Sequence, residues 1–207
     1  MEEIQRKRLQ QLIEASFRES VRVKEAFLKS NAGIILEMAQ LVSRAFREKR
    51  RLFLFGNGGS AADAQHLAAE FVNRFERERP PLPAMALSVD TSIITSISND
   101  YHFEDIFLKQ LQALAGAGDV ALGISTSGRS RNVVKALQWA HRQGLRTLGW
   151  AGAERGDMDG CCGQMLHVPS KVTARIQECH ITAGHILCAL VDEILFGADR
   201  MVDGMSR

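Results

Sequence analysis

No excess of charge marks this chain. Its 26 lysines and arginines against 24 acidic residues leave a formal charge of +2 over 207 residues, too little for the basic footprint of a nucleic-acid binder. Arg74, Arg77 and Arg79 do cluster, but Glu76 and Glu78 lie between them, so the segment reads as a mixed solvated surface. Cysteine is scarce: Cys161, Cys162, Cys179 and Cys188 form no CxxC pair, and vicinal cysteines rarely bond to each other. A disulfide framework is therefore not expected, and reduced thiols in a cytoplasmic protein are. The first eight residues, Met1 to Arg8, are too charged for a signal peptide. No apolar stretch comes near the ~18–20 residues of a membrane span, so no membrane partner is expected.

What is present is ordinary globular composition, 45% hydrophobic and 24% charged, enough for one core without covalent staples. Apolar spacing predicts a helix over about residues 3–29, then a second one capped by Asn31 and running through Phe46. The apolar surface of this pair exceeds what one small core covers, and part of it is expected to pack on another subunit. Short apolar runs then alternate with helical patterns. Strands are expected at 52–55, 84–88, 119–125, 147–151 and 165–168, and a last helix over about 173–196. The order implies an α/β fold with a five-stranded, mostly parallel sheet, helices on both faces and an N-terminal helical extension. The single domain divides into 1–48 (N-terminal helices), 49–198 (core) and a frayed tail at 199–207.

One loop organises the rest. Gly123-Ile124-Ser125-Thr126-Ser127-Gly128-Arg129-Ser130 follows a strand and opens a helix. Ser125, Thr126, Ser127 and Ser130 bring four hydroxyls to a helix N-terminus, which suits a phosphate. The lysine of a nucleoside-triphosphate P-loop is missing, so a phosphorylated small molecule fits better. The alternative is a plain Ser/Gly turn capping a helix. A second glycine loop, Gly56-Asn57-Gly58-Gly59-Ser60, also follows a strand. Ligands of parallel sheets bind beyond strand carboxyl ends, so the two loops point to one edge.

Acid–base groups follow the second loop. His66 and Glu70 are four apart on one helical face, within ~40° of each other, a spacing that serves a shared metal or a coupled acid and base. On the last helix, Gln177 lies ~80° from His185 and Glu178 ~20° from it. Spacing selects His185 with one of these two and does not decide between them. His180 is ~140° away and reads as a buried core residue. His102, His141 and His167 have no partners at ligand spacing and read as structural or exposed.

Together, the 56–60 loop with His66 and Glu70, Ser98-Asn99-Asp100, the 123–130 loop and Arg175-Ile176-Gln177-Glu178 closely resemble the sedoheptulose-7-phosphate isomerase (phosphoheptose isomerase) family, of the SIS class of sugar-phosphate-binding domains. The resemblance covers about residues 20–196. It implies a SIS-type three-layer fold and an aldose–ketose isomerase of ADP-heptose and lipopolysaccharide-core biosynthesis. It also implies a homotetramer, active sites between subunits and a phosphorylated seven-carbon sugar as substrate. By position, Ser125, Thr126, Ser127 and Ser130 would hold the phosphate, and Asn57, Gly58, Gly59, Asn99, Asp100 and Gln177 would line the sugar. His66, Glu70, Gln177 and His185 would hold one zinc ion per subunit in members that bind zinc, which favours Gln177 over Glu178. Glu70 is expected to act as base and His185 as acid. Arg129 departs from the asparagine usual there. It either adds charge near the phosphate or points to solvent.

Two other readings compete. A non-catalytic relative of the same class binds the bacterial replication initiator, and Asn73 to Pro80 looks like it. That binder lacks counterparts of Glu70 and His185, both present here. A sugar-phosphate sensor would carry a DNA-binding domain, and the first ~48 residues are too uninterrupted for a helix-turn-helix.

Overall fold

The computed structural model of the protein describes residues 2–197; the expected tail at 199–207 lies outside them. Five parallel strands form one sheet: β1 (Leu52–Gly56), β2 (Ala84–Ala86), β3 (Val120–Ile124), β4 (Arg146–Ala151) and β5 (Gln164–His167), in the order β2-β1-β3-β4-β5. The helices are α1 (Glu2–Arg47), α2 (Gly59–Val72), α3 (Thr91–Asp100), α4 (Ile106–Leu114), α5 (Arg131–Arg142) and α6 (Thr173–Phe196). The expected second strand is shorter than 84–88, because Leu87 and Ser88 already turn.

Strand periodicity builds the two cores. Successive side chains of a strand point to opposite faces. In β1, Leu52 and Leu54 join the core under α1, α2 and α6, while Phe53 and Phe55 join the core under α4 and α5. All four are fully buried. β1 and β3 read as continuous apolar runs because both their faces are covered.

The expected pair of N-terminal helices is one helix of 46 residues, about 69 Å long at 1.5 Å per residue. Asn31 is not a cap. It is buried inside the helix, where Nδ2 donates to the Phe27 carbonyl one turn back and to the His167 carbonyl at the end of β5. A long-range partner thus satisfies an amide that local sequence reads as a helix start. Along the N-terminal half, Ile4, Leu9, Leu12, Ile13, Phe17 and Val21 are all more than half exposed.

Helix α6 is apolar and long enough, by length and composition, to cross a bilayer. This corrects the expectation that no stretch comes near that length. In the fold it packs Ile176, Cys179, Ala183, Leu187, Cys188 and Val191 into the core shared with α1 and α2. His180 is fully buried there, as expected, with Nε2 3.3 Å from the Ala151 carbonyl oxygen.

Burial holds the His180 imidazole down to about 4, from an ordinary 6.5. Between these values the unfolded chain binds a proton that the native chain does not, so stability is lost as pH falls through that window. Asp63 on α2 works the other way. Burial raises its carboxyl from 3.8 to about 6, against the attraction of His66, so the native chain holds the extra proton between those values. The two offset each other on acidification. Asp63→Asn removes the offset, and its urea midpoint is expected to fall further than the wild type's between about pH 7 and about pH 4.5. Equal falls in both proteins would overturn this.

Candidate active site

The two glycine loops leave the sheet side by side. Gly56 is the register partner of Ile124 on neighbouring strands, so the 56–60 and 125–130 loops start at the same level. A reciprocal amide pair joins them: Asn57 Nδ2 donates to Asn132 Oδ1 at 2.9 Å, and Asn132 Nδ2 returns a bond to Asn57 Oδ1 at 2.8 Å. Asn132 is buried in the first turn of α5 and holds its own carboxamide through the Val133 N–H. The sequence reading missed it, since nothing local distinguishes it from a helix surface residue.

The 125–130 loop is more than a capping turn. Gly128 sits at φ +66°, a left-handed conformation that glycine adopts without a Cβ clash, and turns the chain between Ser127 and Ser130. Ser130 stands at the α5 N-cap but makes no side-chain cap bond. Its hydroxyl lies 2.8 Å from Ser125 Oγ, which is 3.4 Å from Ser127 Oγ. Three hydroxyls therefore converge at a helix N-terminus, a geometry that receives an anion. Thr126 faces a neighbouring cleft of about 190 Å³ that also includes Ser127, Arg129, Glu154, Lys171 and Thr173. The Arg129 guanidinium turns to Glu154 and the Arg155 carbonyl, and Lys171 pairs with the same carboxylate. That carboxyl is held below its usual range, first by the Lys171 hydrogen bond and then by Arg129.

The acid–base groups come from two helices far apart in sequence. His66 Nε2 lies 2.8 Å from His185 Nε2 and 3.4 Å from Glu70 Oε1. One ring must donate and the other accept. The Phe75 ring stacks on His185 at 5.4 Å. Gln177 lies against Gly59, where an added Cβ would overlap its carboxamide. Glu178 faces α1 instead, accepting from Ser20 and Arg175. Of the two residues left open by helical spacing, Gln177 is the one that lies beside the 56–60 loop. Asn99 and Asp100 bond to each other at the exposed end of α3 and make no hydrogen bond to the other site groups. His167 does find partners, Asp159 and the Gly152 carbonyl, and ties the β4–β5 connection to β5.

The donors beside His66 fit a metal by type, two imidazole nitrogens and a carboxylate, while the Gln177 amide lies against Gly59. Among the described residues, no three His, Cys, Asp or Glu side chains already surround one point.

A SIS domain profile matches residues 16–152. The phosphoheptose isomerase of Thermodesulfovibrio yellowstonii is 50% identical over 184 residues, 89% of this chain and 92% of that protein. The Aquifex aeolicus phosphoheptose isomerase is 51% identical over 179 residues, 86% and 94% of the two chains. The chain belongs to the phosphoheptose isomerase family. The fold agrees with that of the Neisseria gonorrhoeae phosphoheptose isomerase, with a TM-score of 0.85 and 40% identity over 89% of this chain and 99% of that one. The SIS-type α/β fold and an isomerase activity follow for a phosphoheptose isomerase family member. Initiator binding gains no support from these relatives. In the 73–80 segment that suggested it, Phe75 stacks on His185 and Arg79 is buried, while Asn73, Arg74, Glu76, Glu78 and Pro80 are exposed. Arg79 is not the solvated residue expected from its charged neighbours: its side chain is 1% exposed and pairs with Asp192.

Proposed function

We propose that the chain converts sedoheptulose 7-phosphate to D-glycero-D-manno-heptose 7-phosphate, the first step of ADP-heptose and lipopolysaccharide-core biosynthesis, in the cytoplasm. The observation that carries the reading is the approach of His66 Nε2 to both Glu70 and His185, in a fold whose β3 ends in a hydroxyl-lined loop. Moving the carbonyl from C2 to C1 takes a proton from C1 and returns one to C2 through an enediol, while O2 gains a proton and O1 loses one. Glu70 removes the carbon proton as a carboxylate. His185, on the other helix, supplies the proton that the developing oxyanion needs. Ser125, Thr126, Ser127 and Ser130 hold the phosphate, so binding energy gained far from the reacting carbons orients them. Asn57, Gly58, Gly59, Asn99, Asp100 and Gln177 line the sugar.

His66, Glu70, Gln177 and His185 are the residues that would hold a zinc ion. When bound, zinc supplies Lewis-acid stabilisation of negative charge on oxygen. The cluster lies open on one side, with the His66 side chain 48% exposed, and α1 presents its uncovered apolar stripe. Both support a homotetramer in which neighbouring subunits close the sites.

The test is turnover of sedoheptulose 7-phosphate by the purified protein, with metal chelated and with zinc restored. Product formation is expected, with the rate reduced by chelation and recovered with about one zinc per subunit. No turnover in either condition, with the oligomer intact by sedimentation, would overturn the proposal.

A further inference from the structure

Arg79 is buried where no part of the reaction calls for a cation. Its Nε donates to Asp192 Oδ1 at 2.9 Å. Nη2 donates to the Glu70 carbonyl at 2.8 Å, and Nη1 to the carbonyls of Phe71, Asn73 and Pro80. Glu70 and Phe71 carry two of the last carbonyls of α2, which have no partner within the helix. A guanidinium there satisfies them and complements the negative end of the helix dipole. Asp192 belongs to α6, seven residues beyond His185, so the two lie within ~20° on that helix. Among the described residues, Asp192 Oδ2 is buried without a hydrogen-bond partner. A buried pair with an unmet oxygen adds little to stability, and apolar replacements often do as well. Its geometry has another use.

We propose that Arg79 and Asp192 are positioning residues that set α2 against α6 in the register bringing His66 and Glu70 to His185. The pair fastens the C-terminal end of α2, at the carbonyl of Glu70 itself, to the α6 face that carries His185. The imidazole contact at 2.8 Å is the second point of attachment one turn back along α2. With two points fixed, neither helix slides or rotates past the other. Arginine suits the task because its rigid fork reaches a carboxylate and several carbonyls at once, while lysine offers a point charge on a flexible stem. The inference rests on the reading of Glu70 and His185 as base and acid.

The experiment compares Arg79→Lys and Asp192→Asn with Leu166→Ala, a buried β5 residue that serves as a stability control. Each is measured for kcat, KM, urea midpoint and the ring-nitrogen NMR signals of His66 and His185. In the two positioning variants, kcat is expected to fall roughly 10- to 100-fold with KM within about twofold, and the ring signals to shift. Leu166→Ala is expected to lose stability and keep kcat. A kcat that tracks the urea midpoint across all three variants would overturn the proposal, as would unmoved ring signals in both Arg79→Lys and Asp192→Asn. The ring signals report placement whether or not Glu70 is the base, and Glu70→Gln tests that role separately.

Discussion

Glu70→Gln is expected to lower turnover by at least ~100-fold while leaving sugar-phosphate binding largely intact. The amide has the volume of the carboxylate and keeps an oxygen toward His66 Nε2, so the wall of the site is preserved. It cannot accept the carbon-bound proton. The 125–130 loop, proposed to hold the phosphate, lies between β3 and α5 and makes no hydrogen bond to the residue 70 side chain among the described residues, so binding of the sugar phosphate, read by calorimetry, should change little. Exchange of the substrate's transferred hydrogen with deuterium oxide should stop with turnover. Near-normal turnover in the variant would remove Glu70 from the role of base.

The second large effect concerns a residue with no side chain. At Gly56, a Cβ would stand 2.7 Å from the Ile124 carbonyl oxygen and 2.8 Å from Ser60 Cβ. Neither neighbour is the free end of a flexible chain, so rotation of a side chain cannot relieve the overlap. Either β1 and β3 part at their carboxyl ends, or the start of α2 retreats. Gly56→Ala is therefore expected to destabilise the protein by about 3 kcal/mol, read as a lower urea midpoint. An unchanged midpoint would mean that the strand ends yield more easily than their full burial suggests.

Much of this was legible in the sequence, and the exceptions share a cause. Strands such as Leu52-Phe53-Leu54-Phe55 announce themselves because a run buried on both faces is apolar throughout. The glycine–hydroxyl loops are visible because their composition is unusual and local. Asn31 misleads because the partner for its amide, the His167 carbonyl, lies 136 residues away. Arg79 misleads in the same way: Glu78 and Glu76 precede it in sequence, but its carboxylate is Asp192, 113 residues on. Helical arithmetic pairs His66 with Glu70, and His185 with Gln177 or Glu178. It says nothing of two helices touching, which takes the packing of α2 and α6 on a common sheet face.

The strand order has a consequence for changing what the enzyme accepts. Both loops grow from β1 and β3, each flanked by strands on either side, so the proposed phosphate anchor starts from the middle of the sheet. The segments after β2 and β4, residues 87–100 and 152–163, follow strands nearer the sheet margins and are longer. Selection for a shorter or longer sugar would find its useful substitutions there, with the grip on the phosphate left as it is.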